Sequence, residues 1–448
     1  MAPTTLARRR ALLALAAAVA GGCTLAPRGT RDERLRLADA GRAWDAPVAA
    51  RVLPELPAAP DWRDCLRRAF LANGDLEAAW RAWQAAVARI DVASAYPNTN
   101  LAVGYEYAFS GGSLKAWDRS TVSVGFDPMQ NLSFPTKVLA AGRVALAEAR
   151  AEGERFLAMK FDLQRRVLDA WLAHALTAEK LRLQRETLAL ARLGAQSAAG
   201  RVEAGATGRE LFEAEVEAAL AEDALARLEA ELRGERAALN GLLGRAPEAP
   251  LAPPAALPAP RPLPADDARL LATAAAASPD LAALAHAATA REHALDFAKQ
   301  QLIPDFNPFG GFTGSLEQVA GIMASLPIRV PMILGAVRES RALLARAEAT
   351  ARQARLDRDA AFVATLAALR DAERQAALVR DRVLPAAERT LASARGAYTA
   401  GGLGYPELAA AERLMLELRG LLAEARIARE RRLAELEALA GLDVETLA

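Results

Sequence analysis

The chain has 448 residues, of which 56 are basic and 55 acidic, so its formal net charge at pH 7 is only +1. This length is enough for two or three ordinary domains. The balanced charge argues against a nucleic-acid-binding surface, because such surfaces need a clear basic excess. Aromatic residues make up only 5%, and alanine, leucine, arginine and glutamate dominate. That composition is typical of long helices packed through small side chains.

The N-terminus has the organisation of a targeting segment. Three arginines at positions 8–10 precede a short apolar run at 11–20, and Gly21, Gly22 and Cys23 follow. The apolar run is too short to cross a bilayer as a helix, which needs about 20 residues. A cysteine after small residues resembles a bacterial lipoprotein cleavage site. That resemblance implies a signal peptide over 1–22 and a lipid on Cys23. An ordinary secretory signal with an incidental cysteine is the alternative.

One other cysteine is present in the sequence. Cys65 lies among apolar residues and is expected to be a small, buried, apolar side chain. If Cys23 carries lipid, no intramolecular disulfide can form, so stability must come from packing. Residues 23–60 are expected to be the anchor and an extended, irregular N-terminal segment.

The chain repeats itself over roughly half its length. Four landmarks recur in the same order, about 205 residues apart early in the repeat and about 196 apart later. The pairs are Asn73–Leu76 with Ser278–Leu281, Ala95–Asn98 with Leu302–Asp305, Ala204–Gly208 with Ala400–Gly404, and Leu239–Gly244 with Leu436–Gly441. The change of spacing predicts an extra stretch of about ten residues near 110–118. We expect one repeat over 61–244 and another over 265–448. The proline- and alanine-rich linker between them, 245–264, favours extended backbone.

Each half is predicted to run helix, β-hairpin, long helix, turn, helix. A helix from about Asp75 to Ser94 precedes Leu101 to Phe109, where apolar or aromatic residues alternate with small or polar ones. That period indicates a strand with two different faces. A second strand covers Thr121 to Phe126. The second half repeats the hairpin less regularly, over Phe306 to Thr313, which contains Pro308, and Val319 to Ile328.

The helices after each hairpin are predicted to be unusually long. No proline occurs from about Thr136 to Ala199, which corresponds to about 95 Å of helix. Heptad-like spacing predicts coiled-coil seams at Leu225, Leu228, Leu232, Leu239 and Leu242, and at Leu414, Leu418, Leu421 and Ala425. Pro385 interrupts the second long helix and is expected to kink it.

The two different faces of the hairpins are typical of a β-sheet that has lipid on one side and water on the other. The side expected to face lipid carries Leu101, Val103, Tyr105, Tyr107 and Phe109. Lipid cannot satisfy an open sheet edge, and four strands are too few to close a barrel, which needs about eight. Three copies would supply twelve strands, an even number in the range of membrane barrels. The predicted fold class is therefore mainly α with a small β part. Internally duplicated long-helix hairpins form an α-barrel, and four strands per protomer contribute to a trimeric transmembrane β-barrel.

Three features accompany this order of elements: Ala95–Tyr96–Pro97 and Leu302–Ile303–Pro304 before the hairpins, and glycine turns within Arg201–Glu215 and Ala397–Glu412. Together they resemble the TolC family of outer-membrane efflux proteins. The resemblance covers about residues 62–445. It implies a homotrimer in the outer membrane of a Gram-negative bacterium, anchored in outer-membrane lipid and extending into the periplasm. It also implies a periplasmic adaptor protein and an inner-membrane pump as partners, with passive export, no catalysis, no cofactor and no nucleic acid.

The resemblance assigns two further features to the helix-to-helix turns. Gly205, Gly208, Gly401 and Gly404 would form the periplasmic tip on which the adaptor docks, and glycines allow backbone angles closed to other residues. Helix caps without a further role are the alternative. Glu407, and at a similar spacing Glu210, are candidate acidic gate residues, because a ring of charge biases what passes. Their alternative is a solvated glutamate at a helix N-terminus.

No constellation of catalytic or metal-binding residues is evident. His174, His286 and His293 are scattered, and although the last two are seven residues apart on one helix face, no further ligand accompanies them. A phosphate-binding loop and a nucleophile elbow are also missing from the sequence. The alternative to a channel is a lipid-anchored periplasmic coiled-coil scaffold without a pore, which the alternation at Leu101 to Phe109 disfavours. The sequence does not identify the exported substrate, because the pump selects it.

Overall fold

The computed structural model describes residues 24–96, 101–110, 113–126, 132–205, 208–263 and 266–443. The predicted signal peptide, 1–22, and the candidate lipidation site Cys23 lie outside these ranges. Pro97 and Asn98, which belong to one landmark of the repeat, also lie outside them.

The described residues form helices and strands in the same order in both halves of the chain. The first half contains α1 (Thr30–Gly41), α2 (Trp62–Ala72), α3 (Gly74–Ser94), β1 (Leu101–Tyr107), β2 (Ser120–Phe126), α4 (Pro135–Glu203) and α5 (Arg209–Leu242). The second half contains α6 (Asp267–Ala277), α7 (Pro279–Gln300), β3 (Asp305–Thr313), β4 (Glu317–Ser325), α8 (Val330–Leu378), α9 (Leu384–Thr399) and α10 (Tyr405–Ala440). From α2 and α6 onward, each half runs two helices, a hairpin, a long helix and a returning helix.

The two hairpins differ in the length of their connecting loops. Residues 108–119 join β1 to β2, whereas only 314–316 join β3 to β4. The loop of the first half is therefore nine residues longer. This is the extra stretch that the change of repeat spacing predicted near 110–118.

The expectation of an irregular segment over residues 23–60 is wrong for part of it, because α1 is a helix of 12 residues. Its buried side is fixed by two tryptophans of α3. Trp83 Nε1 donates to Glu33 Oε1 at 2.9 Å, and Trp80 Nε1 lies 3.4 Å from the Leu37 carbonyl oxygen. Half of the residues of this helix are charged, so its own apolar pattern was too weak to reveal it.

The described residues divide into two compact units, and each unit takes segments from both halves. One is built from the described parts of Met1–Arg42, Ala79–Phe156 and Asp280–Arg355, and it contains the sheet. The other is built from the described parts of Ala43–Ala78, Leu157–Pro279 and Leu356–Ala448.

In the unit that contains the sheet, two glycines make room for the tryptophans of α3. A Cβ at Gly41 would lie 2.2 Å from the ring of Trp80, and one at Gly153 would lie 2.9 Å from the ring of Trp83. Trp83 also stacks on Phe156, with ring centroids 5.8 Å apart. Large aromatic rings thus pack directly against helix backbone, as the small-residue composition allows.

In the other unit, α6, α8 and α10 share an apolar core. Its buried members are Leu270, Ala274, Phe362, Leu366, Leu369, Leu433, Leu436 and Ala440. The linker is tied to α10 by a buried ion cluster, since Arg261 lies 3.0 Å from Glu430 Oε2 and 2.9 Å from Glu437 Oε1. The linker is therefore held in place by specific side chains as well as by its prolines.

The long helices are present, and Pro385 interrupts the second one. The first, α4, is continuous over 69 residues, or about 100 Å at 1.5 Å per residue. In the second half, α8 leads into a π-helical turn, Val379–Val383, before α9, which has Pro385 in its first turn. A proline cannot donate to the preceding helical turn, so the regular hydrogen-bond ladder is broken there.

The predicted coiled-coil seam is only partly correct. In the first half, Leu239 is buried, and Leu225 packs on a cluster of α4 and α5. In α10, Leu418 and Ala425 are buried, but Leu414 is 44% exposed and Leu421 is 51% exposed. Met415 takes the core position beside Leu418 against Ala387 of α9. Because α10 carries apolar residues on several faces, spacing alone selected two exposed leucines together with two buried residues.

One stretch, Asp267–Gln300, is long and apolar enough to cross a membrane, judged by length and composition only. Its most apolar window has a mean hydropathy of 1.2 and is 31% buried. The stretch consists of α6 and α7, and the backbone of Ser278 between them is not helical (ψ 116°). It is therefore two helices, and its composition is weak evidence for a membrane span.

Candidate functional site

The four strands form one antiparallel sheet in the order β1-β2-β3-β4. The hairpin of the first half pairs with that of the second through β2 and β3, over Thr121–Gly125 and Phe309–Thr313. The β3–β4 ladder is complete over nine residue pairs. The second hairpin is thus at least as regular as the first, although its sequence alternates less clearly.

The register places most of the apolar side chains of the four strands on one face. Paired residues of neighbouring strands lie on the same face of a sheet. We call this surface the apolar face, and it consists of Val103, Tyr105, Tyr107, Val122, Val124, Phe306, Pro308, Phe312, Ala320, Ile322 and Ala324, with Ser120, Gly310 and Gln318 among them. Val103, Tyr105 and Ile322 are 68%, 66% and 72% exposed within the protomer. Such a patch normally marks a surface that contacts lipid or another protein.

The opposite face is made mainly of small and polar residues. It carries Ala102, Gly104, Glu106, Thr121, Ser123, Gly125, Asn307, Gly311, Thr313, Glu317, Gly321 and Ser325, together with Phe309, Val319 and Met323. The ring of Phe309 covers Gly321, where a Cβ would lie 2.6 Å from the ring. The sheet therefore has one oily face and one mostly small or polar face.

Two of the predicted strands have wrong boundaries. The strand expected to reach Phe109 ends at Tyr107; the Ala108 amide still donates to the Arg119 carbonyl (2.9 Å), and the loop begins after it. Phe109 is exposed in that loop, with its ring 5.2 Å from that of Tyr107. The strand expected over Val319 to Ile328 lies at Glu317–Ser325. Pro327 follows within two residues, and a proline cannot continue the ladder. Leu101 begins β1 and pairs with Phe126.

Both outer strands have backbone groups that point away from the sheet. The Ala108–Arg119 bond shows that even-numbered amides of β1 face β2, so those of Val103 and Tyr105 face outward. The Gly314 amide donates to the Ser120 carbonyl at 3.0 Å, so even-numbered amides of β3 face β2 and odd-numbered ones face β4. The amides of Ala320 and Ile322 in β4 therefore point outward. At both edges a strand of another chain could continue the ladder.

The loops of the two hairpins are fastened to each other. Ser315 donates to the Asp118 carboxylate from its backbone amide (2.9 Å) and from its hydroxyl (2.5 Å). These hydrogen bonds lower the pKa of Asp118. Gly314 has φ +52°, and a Cβ there would lie 2.3 Å from Asp118 Cα. The short loop thus depends on a glycine that the sequence pattern did not single out.

At the other end of the strands, an ion pair joins the two halves. Lys137 Nζ, in the first turn of α4, lies 2.8 Å from Asp305 Oδ1 at the start of β3, and the lysine side chain is only 6% exposed. The Phe134 amide donates to the same carboxylate oxygen at 3.3 Å. Leu132 and Phe306 exchange backbone hydrogen bonds beside it. The exit from one hairpin is therefore fixed to the entry of the next.

The helix-reversal turns use only two of the four predicted glycines for unusual backbone angles. Gly205 has φ +99° and Gly401 has φ +73°, in the left-handed region that favours glycine. Gly208 (φ −66°) and Gly404 (φ −78°) have ordinary angles and are the N-caps of α5 and α10. Of the four glycines, only Gly205 and Gly401 therefore use the backbone freedom that glycine allows.

The two candidate gate glutamates line one cleft of about 390 Å³ between the helices that meet these turns. Glu210 is paired with Arg201 at 2.9 Å, so a cation already lies beside its charge. Glu407 lies in the first turn of α10. Tyr405 donates to the Leu190 carbonyl at 3.0 Å, and Arg413 forms an ion pair with Glu217. Burial, together with Glu412, raises the pKa of Tyr405.

The histidines and Cys65 do not form a metal site in the part of the chain that the structure covers, where no group of three or more His, Cys, Asp or Glu residues could hold a metal. His174 is buried. His286 and His293 line a groove in the unit that contains the sheet. Cys65 is fully buried, and its burial raises the pKa of the thiol to about 12, so it is an unreactive packing residue.

No protein-family model and no curated protein matches the chain, but solved structures do. A membrane protein from Pseudomonas aeruginosa is 21% identical with a TM-score of 0.70, and the match covers 88% of this chain and 97% of that one. The outer membrane protein VceC from Vibrio cholerae is 18% identical with a TM-score of 0.67, covering 85% and 96%. The open state of the outer membrane channel MtrE from Neisseria gonorrhoeae is 18% identical with a TM-score of 0.64, covering 88% and 94%.

The chain has the fold of an outer-membrane channel protomer. At these identities the likeness concerns the fold, and at that level the expected resemblance to the TolC family is confirmed. The predicted fold class is confirmed for one protomer, whose helices and four strands follow the same architecture.

Proposed function

We propose that this chain is one protomer of a trimeric outer-membrane channel, through which substrates pass passively from the periplasm. The observation that carries this proposal is the sheet, with an exposed apolar face and two edges whose backbone groups point outward. In lipid every such group must be satisfied, which requires a closed barrel. Four strands per chain cannot close one, whereas twelve strands from three copies can.

The sheet also weighs against the alternative, a lipid-anchored scaffold without a pore. A scaffold of packed helices in the periplasm needs no sheet with an oily outer surface. Exposed apolar side chains such as Val103, Tyr105 and Ile322 would be an aggregation hazard in water. The small-residue face, in contrast, suits the water-filled side of a barrel wall. No catalytic role is part of the proposal, since a duct needs a pathway, a gate and a docking surface.

The position of Thr24, the first described residue, supports a lipid on the preceding Cys23. The next residue, Thr24, forms an antiparallel bridge with Ala95, and the Leu25 amide donates to the Ser94 carbonyl at 2.8 Å. Ser94 ends the helix that leads into β1. A lipid on the residue before Thr24 would therefore enter the bilayer beside the strands, and anchor and barrel would reinforce each other.

By its resemblance to the TolC family, the channel works with a periplasmic adaptor protein and an inner-membrane pump. The turns at Gly205 and Gly401, with their neighbours Gly208 and Gly404, are then the docking surface. Glu407, with Glu210 beside it in the same cleft, is the acidic gate. An uncharged variant, Glu407→Gln, should lower the cation preference measured from reversal potentials, whereas Glu388→Gln, a second exposed glutamate, should not.

The experiment that tests the proposal combines mass and conductance. Full-length protein, purified in detergent, should have the mass of three chains and should form ion-conducting channels in planar bilayers. Metabolic labelling with a radioactive fatty acid should label wild type but not Cys23→Ala, which should still form channels. A stable monomer without conductance would support the scaffold instead.

A further inference from the structure

A basic groove lies in the unit that contains the sheet, between α4, α7 and the segment before α1. It has a volume of about 690 Å³, and its charged or imidazole side chains are Arg28, Arg143, Arg150, His286 and His293. Arg143 and Arg150 are seven residues apart on one face of α4, and His286 and His293 are seven apart on one face of α7. Two helix faces with the same spacing therefore line the groove, with Arg28 at its side.

The arginines of this groove have no acidic partner among the residues that the structure describes. No acidic side chain is among the described residues that line it, and its apolar members are mainly Ala26, Leu139, Leu146 and Ala147. Nearby arginines of the same unit do have partners, such as Arg36 with Glu154 and Arg34 with Asp91. Among the described residues, no carboxylate oxygen lies within 4.0 Å of the guanidinium groups of Arg28, Arg143 or Arg150. Three unpaired guanidinium groups around one groove favour an anionic ligand.

The groove also lies close to the strands. Arg143 is eight residues into α4, which follows β2, and His293 is seven residues before the end of α7, which leads to β3. Both are thus about 10–12 Å along a helix from the sheet end of that helix. Arg28 is four residues beyond Thr24, which is bridged to Ala95. If the strands cross the hydrocarbon layer, the end of the groove nearest the sheet lies close enough to the headgroup layer for an arginine side chain to reach it.

We propose that this groove binds the phosphate of an anionic phospholipid headgroup in the periplasmic leaflet. Guanidinium groups bind phosphate oxygens through paired, charge-assisted hydrogen bonds. An imidazole has an N–H donor in either protonation state. The apolar lining, Leu139 and Leu146 among it, provides contact for the glycerol and the first acyl carbons. The phosphate chemistry follows from the groove itself, whereas the lipid as its source rests on the proposed outer-membrane location.

The test compares two double variants of equal charge change. Arg143→Gln/Arg150→Gln removes two cations from the groove. Arg185→Gln/Arg192→Gln removes two exposed arginines from the same helix, each beside a glutamate of α5. Purified full-length protein in detergent is titrated with dihexanoyl phosphatidylglycerol, dihexanoyl phosphatidylcholine and inorganic phosphate, and binding is measured by calorimetry.

We expect wild type and the control to bind the phosphatidylglycerol at least about tenfold more tightly than the groove variant, since each lost arginine removes hydrogen bonds to a charged group. The zwitterionic phosphatidylcholine should bind more weakly to wild type than the phosphatidylglycerol. Equal phosphatidylglycerol binding by the groove variant and wild type would overturn the proposal. Tighter binding of inorganic phosphate than of the lipid would overturn the lipid as the ligand.

The outcome is separable from the proposed function. Conductance of the groove variant in planar bilayers should equal that of wild type, because none of these residues lies in the sheet. A protein that binds phosphatidylglycerol but never conducts would contradict the channel and leave the groove assignment standing. If the double variant does not fold, Arg28→Gln, which changes a residue outside the helices, gives the same comparison.

Discussion

Arg261 attaches the linker to α10 through a buried charge, beside the hydrogen bond from Arg426 to the Pro258 carbonyl. Its guanidinium group is buried, with Glu430 and Glu437 at 3.0 and 2.9 Å, and it lies over the ring of Trp62. Arg261→Met is similar in volume but removes the buried cation beside Glu437 and one of the two cations beside Glu430, which also pairs with Arg429. We expect this variant to lose about 3–5 kcal/mol of unfolding free energy, because removing one partner of a buried ion cluster leaves its carboxylates less compensated. Chemical unfolding followed by circular dichroism measures the change.

An exposed ion pair of the same helix is the matched control. Arg432 pairs with Glu435 at 2.8 Å on the surface of α10. Such pairs contribute about 0–1 kcal/mol, so Arg432→Met should be nearly neutral. Equal losses for the two variants would contradict the role assigned to Arg261.

His174 is a residue whose protonation should weaken the fold at mildly acidic pH. It is buried on α4, and burial, assisted by Arg236, lowers the pKa of its imidazole below the ordinary value of 6.5, with the Leu251 main chain only partly opposing this. The folded protein thus binds fewer protons here than the unfolded chain. Stability is full above pH 6.5 and is lost as the pH falls from 6.5 toward the lowered folded pKa. Wild type should therefore unfold at lower denaturant concentration at pH 5.5 than at pH 7.5.

A variant without the imidazole isolates this contribution. His174→Leu should flatten the dependence of unfolding free energy on pH between 7.5 and 5.5. His286→Leu is a suitable control, since His286 is only half-buried in the groove. If His174→Leu and wild type lose the same free energy over this range, His174 is not the responsible group.

At the scale of elements, the strands and long helices were readable because their patterns are periodic. Strict alternation at Leu101 to Tyr107 predicts β1, and the lack of proline predicts α4. The second hairpin was harder, because Pro308 interrupts β3. The register explains why the proline is tolerated. The nitrogen of Pro308 faces the β2 side, where pairing has already ended at Phe309, so no ladder bond is missing.

What the sequence did not reveal depends on contacts between distant segments. Helix α1 is fixed by tryptophans of α3, and Lys137 is held by Asp305 of the other half. Neither contact produces a pattern in the local sequence, because the two partners are far apart in the chain and neither residue type is unusual among its neighbours. The unpaired arginines of the basic groove are invisible for the same reason: whether a charge is paired is decided only in the folded protein.

The hairpin loop at Gly314 gives a prediction for one element. Gly314→Ala should destabilise the sheet by about 2 kcal/mol or more, because an alanine at φ +52° is strained and its Cβ would meet Asp118. Gly310→Ala is the control, since a Cβ at Gly310 would lie 3.5 Å from its nearest atom, the Val319 carbonyl oxygen, which is ordinary contact. Thermal loss of the β signal in detergent measures both. If the β signal of Gly314→Ala is lost at the same temperature as that of Gly310→Ala, the backbone angle at Gly314 does not require a glycine.

The duplication explains how one molecule contributes one open sheet. Each half supplies a hairpin, and β2 and β3 join the two hairpins side by side, so that β1 and β4 become the edges. A chain with a single hairpin could not bury either of its strands inside the sheet. The two edges differ in sequence, and the last strand of one copy is suited to meet the first strand of the next. That is the head-to-tail contact from which a closed ring is built.

Proline substitutions at this edge test the whole assembly. The amide of Ala320 points outward from β4, whereas that of Val319 bonds to β3. Ala320→Pro should leave the protomer folded but remove a donor needed by the next copy, so neither trimers in detergent nor conductance should be found. Val319→Pro should instead break the ladder inside the protomer and lower its thermal stability, while Ala320→Ser should behave as wild type. A conducting trimer of Ala320→Pro would mean that β4 does not form the contact between copies.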